Sequence, residues 1–186
     1  MRWVLYIIGL MFLAGCASEQ GHVKQSADVQ GYKNIAVIKF DSPDPIVGYK
    51  MTDKITVRFA GKGFNVLERS KLKKLINEEA LVRAGLSESD KAALRSSGIN
   101  ALVFGSVDKY ECETQKAWVW TDFAPAQIRK NDCRAAMSVR MVDINSGEVL
   151  WEAKKSHDEN AEGMTAQTVL GIVLAWIEEK IPAIQQ

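Results

Sequence analysis

Met137-Ser138-Val139-Arg140-Met141-Val142-Asp143-Ile144-Asn145-Ser146-Gly147-Glu148-Val149-Leu150-Trp151-Glu152-Ala153 decides the fold. Apolar Met137, Val139 and Met141 alternate with Ser138 and Arg140, the period-two pattern of a strand with one buried face. Asn145-Ser146-Gly147 supplies a turn in which Gly147 can take positive φ, and Glu148 to Ala153 returns as the antiparallel partner. This hairpin fixes the C-terminal half of a sheet.

Upstream, Ala101-Leu102-Val103-Phe104-Gly105-Ser106-Val107 is an apolar run of strand length, separated from Met137 by a long, hairpin-like excursion from Glu111 to Arg134. Asn34 to Phe40 is another such run, and Asp41-Ser42-Pro43-Asp44-Pro45 ends it, since proline cannot donate to a ladder. Met51, Ile55 and Phe59 recur at helical spacing, and Gly61-Lys62-Gly63 closes that helix. Phe64 to Leu67 reads as a short strand. Ser70 reads as the N-cap of a helix carrying Leu72, Leu75 and Ile76 and ending at Gly85. Ser87 with Asp90 forms a capping box for a further helix, up to Gly98. Downstream, Val169, Leu170, Val173, Trp176 and Ile177 share one face of a last helix, limited by Pro182. The order β-α-β-α-α-β-β-β-α implies parallel strands joined by helical crossovers, then antiparallel hairpins. The expectation is an α/β domain over 34–186, a single mixed sheet flanked by helices.

At the N-terminus, Arg2 precedes an apolar run from Trp3 to Leu13, the charged-then-apolar order of a secretory signal. The run is shorter than the roughly 20 residues of a spanning helix. Leu13-Ala14-Gly15-Cys16 resembles the bacterial lipobox. That resemblance implies a signal peptide over 1–15, acylation of Cys16 and a membrane tether. Removing 15 of 186 residues leaves 171, enough for one domain with a substantial core. Ala17 to Lys33 is polar and aperiodic, so 16–33 reads as the acylated cysteine and a short linker, about 55–60 Å if fully extended. Ser18 stands where an aspartate marks inner-membrane retention, so the lipobox rule implies the periplasmic face of the outer membrane.

The 24 basic and 23 acidic residues nearly cancel, which removes any bulk electrostatic case for nucleic acid. An exported chain meets an oxidising compartment, which favours a bond between Cys112 and Cys133; two free buried thiols are the alternative. His22 and His157 do not lie at ligand spacing from these thiols, so no metal site is expected. No cofactor motif, Gly-x-Ser-x-Gly elbow, P-loop or HExxH appears, and the expectation is a protein that is not an enzyme. Gly61-Lys62-Gly63 lacks the rest of a phosphate loop. His157-Asp158-Glu159 reads as a solvated polar turn.

Three stretches together are similar to the CsgG family, the curli production and assembly lipoproteins. They are Leu67-Glu68-Arg69-Ser70-Lys71-Leu72 continuing to Glu78-Glu79-Ala80-Leu81, Gly98 to Val107 with Tyr110, and Val139 to Leu150. The resemblance implies structural motifs. Glu68-Arg69 makes a charge pair or cap at a strand-to-helix junction, Gly105 allows close backbone approach, and Gly147 makes the turn. Curli-type pores add two transmembrane hairpins per subunit. Here the excursion holds one apolar piece, Ala117-Trp118-Val119-Trp120, and its return, Gln127 to Asp132, is dense in charge. Lys154 to Asn160 is short and polar. A spanning strand needs about 9–11 residues with apolar alternation, so the transmembrane hairpins are expected to be missing.

Trp118 and Trp120 point the same way if extended, with Phe123 close by, and exposed tryptophans suit partner contact or a membrane interface. The alternative is that these rings fold back over a sheet edge. The functional expectation is a non-catalytic, lipid-anchored accessory factor in surface export or envelope assembly, working on envelope or secretion proteins and able to form a homo-oligomer. The alternatives are an activator of a peptidoglycan synthase, like the LpoB type, and a pore-forming secretion subunit.

Overall fold

A computed structural model describes residues 20–25, 28–77, 86–120 and 123–185. They build a six-stranded mixed sheet in the order β1-β6-β5-β4-β2-β3. Along the chain the elements are β1 (Gln20–Gln25), β2 (Asn34–Val37), α1 (Pro45–Gly61), β3 (Asn65–Val66), α2 (Arg69–Leu75), α3 (Glu88–Ser96), β4 (Ala101–Trp120), β5 (Pro125–Asp143), β6 (Val149–Ala161) and α4 (Ala166–Lys180). β2 runs parallel to β3 and β4, while β4–β5, β5–β6 and β1–β6 are antiparallel. The mixed α/β sheet read from the sequence is the one observed.

β2 is buried on both faces, and its alternation sorts the helices. Ile35 and Val37 join Met51, Ile55 and Phe59 of α1 and Val169, Val173 and Ile177 of α4. Ala36, followed by Ile38, joins Leu72 of α2 and Leu94 of α3 on the opposite side. Each such side chain contributes about 1.5–3 kcal/mol by leaving water. Trp151 on β6 is buried and meets the Phe59 ring edge-on at 6.0 Å. Gly105 lies against Phe40 so closely that a Cβ would overlap the ring. Gly147 takes φ of 74°, as its turn requires.

Caps follow the sequence at most ends. Asp44 accepts from the Ile46 N–H at 2.8 Å to start α1, with Pro45 as its first residue. Gly63, at φ of 94°, turns the chain away after it. Ser87 and Asp90 form the reciprocal box that opens α3. At α2 the N-cap is Glu68 instead of Ser70, and the Ser70 hydroxyl donates to the Glu68 carboxylate at 2.6 Å. Glu78 to Gly85 lie outside the described residues.

Two readings of the sequence are corrected, the linker and the polar stretch at Lys154 to Asn160. The polar stretch assigned to a linker enters the sheet: Gln20 to Gln25 pair with Ser156 to Trp151. A single 3-10 turn over Val29–Gly31 then buries Val29. β1 has Val23 as its one large apolar residue, so no alternation announced it. Backbone pairing holds it, together with the Trp176 ring, which lies where a Cβ on Gly21 would stand. The folded domain thus begins ahead of Asn34, and only three residues lie between Cys16 and Gln20.

The hairpin-like excursion from Glu111 to Arg134 is continuous with its flanking strands. Past a bulge between Val107 and Lys109, β4 and β5 stay in register from Lys109↔Ala136 out to Trp120↔Pro125, as one long hairpin. Lys154 to Asn160 is strand, not turn, and β6 accompanies β5 as far as the Asn131↔Ala161 pair. Away from the few residues that α4 covers, such as Cys133 and Lys155, both segments face water, so few apolar residues are needed there and the periodic signal fades.

Candidate functional site

The long hairpin grades from core to solvent along its length. At its base Val107, Cys133, Ala135 and Met137 are buried in the cluster beneath α4. Cys112 and Cys133 face each other directly in the ladder and are joined by a disulfide, with Cα atoms 4.1 Å apart. Arg134 pairs with Asp132 at 2.9 Å beside it, which holds the guanidinium above its ordinary pKa. Beyond Asn131, β6 ends and the ribbon continues as two strands.

That two-stranded part has a sharp composition boundary. Its first two pairs, Gln115↔Lys130 and Lys116↔Arg129, carry three cations. The next four, Ala117↔Ile128, Trp118↔Gln127, Val119↔Ala126 and Trp120↔Pro125, carry no charge. Trp118 is 71% exposed, Trp120 85% and Phe123 97%. The three aromatics named from the sequence therefore come together at one tip. They do not fold back over a sheet edge. Thr121 and Asp122, between the strands in sequence, lie outside the described residues, as does Cys16.

Other sequence candidates disperse. His157 sits in β6 opposite Ala135, and its Nε2 lies 3.2 Å from Glu159, a strand-surface pair rather than a solvated turn. His22 is exposed on β1. Among the described residues no group of three or more His, Cys, Asp or Glu is placed to hold a metal ion. Among them, too, no helix is long and apolar enough to cross a membrane. The uncharged part of the ribbon spans four pairs, well below the 9–11 residues of a spanning strand.

One feature escaped the sequence. An open groove of about 580 Å³ is lined by Lys39 after β2, Tyr49 on α1, and Arg69 and Lys73 on α2. The Lys39 Nζ lies 4.4 Å from the Tyr49 ring centre and the Arg69 Cζ 5.2 Å, a pair of cation–π contacts. These residues come from three separate elements, so no local motif marks them.

The structure resembles the PelC dodecamer from Paraburkholderia phytofirmans, with a TM-score of 0.55 at 11% identity, covering 90% of this chain and 99% of that one. A variant of the same dodecamer gives a TM-score of 0.56 at 12% identity, over 89% of this chain and 99% of that one. The LpoB C-terminal domain from Salmonella enterica matches with a TM-score of 0.42 at 12% identity, over 67% of this chain and 82% of that one, too distant to weigh on function. No curated protein sequence matches the chain. The model of the curli production assembly/transport component CsgG matches residues 21–181, from within β1 to just past α4. The chain belongs to the CsgG family.

Proposed function

We propose that this chain is a non-catalytic lipoprotein, anchored through Cys16 to the periplasmic face of the outer membrane, and an accessory factor in surface export or envelope assembly. The four Cα-to-Cα steps from Cys16 to Gln20, the first residue of β1, carry this reading. Fully extended they span about 14 Å, so an acylated Cys16 keeps the family domain against its membrane. Membership of the CsgG family and the absence of a catalytic motif support it. The dodecameric state of PelC, a protein of similar fold, supports a homo-oligomer. The contact surface is the hairpin tip, where Trp118, Trp120 and Phe123 are offered to an envelope or secretion protein or to the bilayer. The disulfide between Cys112 and Cys133 stiffens the base of that arm.

Crosslinking of the full chain in intact cells tests the reading. Capture of export or assembly components of the envelope is the expected result. Capture of a penicillin-binding protein would replace it with activation of a peptidoglycan synthase, a role that the short tether disfavours. Single-channel conductance from the purified lipoprotein would replace it with a pore.

A further inference from the structure

We infer that the tip of the β4–β5 hairpin is a shallow membrane-insertion element, which sinks Trp118, Trp120 and Phe123 into the interface of an anionic lipid bilayer. The inference rests on the anchoring of Cys16 proposed above, and three independent features of the ribbon lead to it.

The first is direction. β1 runs antiparallel to β6, and Gln20 pairs with Ser156, which pairs with Ala136, which pairs with Lys109. β6 runs toward the hairpin tip, so β1 runs away from it, and Gln20 is the end of β1 nearer the tip. From the level of Lys109 to Trp120 is eleven residues of β4, about 36 Å along the strand. The four Cα-to-Cα steps from Gln20 back to Cys16 reach at most about 14 Å. A lipid on Cys16 therefore brings the bilayer surface to the ribbon well short of its tip. The ribbon must lean along the surface, enter it, or both.

The second is the charge boundary. Four uncharged pairs occupy about 13 Å of ribbon, less than half of a hydrocarbon core. Immediately below them stand Lys116, Arg129 and Lys130, level with anionic headgroups when the tip is immersed. Glu113 and Asp132 come two pairs further back, away from the lipid. With only four uncharged pairs ahead of these cations, the ribbon enters shallowly.

The third is the exposure of the aromatic tip to water. An isolated two-stranded ribbon is marginally stable there, and this one displays two tryptophans and a phenylalanine nearly in full. Tryptophan is the side chain best suited to the headgroup level, because its apolar body enters the acyl boundary while the indole N–H stays wet.

The test uses the full chain purified from membranes, its acylation state read by mass spectrometry, and reconstituted into vesicles of phosphatidylethanolamine and phosphatidylglycerol. Brominated acyl chains quench tryptophan at known depth. Bromine near the glycerol end should quench the tip strongly, and bromine near the chain end weakly. Trp118→Phe with Trp120→Phe keeps the aromatic contact but removes its emission, so the quenching should fall to the background of the buried Trp151 and the remaining tryptophans. Replacing Lys116, Arg129 and Lys130 by Gln should weaken tip insertion about a hundredfold, at about fivefold per cation. An acylated chain whose quenching is the same with and without Trp118 and Trp120 would overturn the inference and leave the anchor standing. Tip tryptophans shielded from aqueous acrylamide but untouched by bromine would overturn it in favour of a protein covering the tip. If Cys16 proves unacylated, the anchoring reading falls, and the same chain with the same vesicles decides the tip alone: quenching supports it, and no quenching overturns it.

Discussion

The Tyr32 hydroxyl donates to Oδ2 of Asp143 at 2.7 Å, joining the segment after β1 to the end of β5 across 111 positions. Oδ1 of the same carboxylate accepts the backbone N–H groups of Asn145 and Ser146 and shapes the β5–β6 turn. Burial pushes the Asp143 carboxyl up, but the Tyr32 hydroxyl and these two N–H groups outweigh it and hold it below its ordinary pKa.

A carboxyl depressed by folding adds stability above its unfolded pKa and loses it as pH falls through the folded one. The denaturant midpoint should therefore be level near neutrality and fall below about pH 4. Asp143→Ala should cost about 1–3 kcal/mol at pH 7, because it strands a phenol and two N–H groups. Asp143→Asn should flatten the acid limb. Urea titrations across pH check all three outcomes.

Gly105→Ala should destabilise by about 1–3 kcal/mol, since the new methyl meets the Phe40 ring inside the core. Gly61→Ala is the control: nothing lies within 4 Å of the added Cβ, and the position ends α1. It should be neutral or stabilising by up to about 1 kcal/mol. Comparing the two urea midpoints separates packing from backbone entropy.

Replacing Cys112 and Cys133 together by Ser should lower stability by about 3 kcal/mol, the chain-entropy value for a loop of this size. The local effect should be larger than the global one. Amide exchange should quicken from Glu113 to Trp120, beyond the lost crosslink, while β2 stays protected. Equal loss of protection in β2 would mean that the disulfide supports the core itself.

Trp176→Ala should release β1. The indole covers Gly21, and without it the strand relies chiefly on its pairing with β6. Limited trypsin digestion should then cut after Lys24 in the variant and spare that bond in the parent, with Trp151 fluorescence unchanged.

The elements that the sequence revealed are those whose burial is one-sided or complete. Ile35 to Ile38, Ala101 to Val107 and Met137 to Ile144 were legible because their apolar residues face helices, and Ser87 with Asp90 because a cap is a local bond. The aromatic tip was legible as well, since Trp118 and Trp120 are two apart and so share a face. β1 and the outer halves of β4, β5 and β6 were not. Their stability comes from ladder bonds and a disulfide, and both faces are wet, so composition there carries no period. The groove around Tyr49 was hidden for another reason: Lys39, Tyr49 and Arg69 meet only after two crossovers have been made.

The sheet has unequal edges. β3 closes one side of the sheet's base with two residues, and β1 covers the other with six. A second copy adds where a strand is long enough to receive it; β3 is too short, whereas β4 runs on past Val107 to Trp120 with no named strand on its β2 side among the described residues. Strand addition is thereby steered to the outer edge of the arm and away from the base of the sheet.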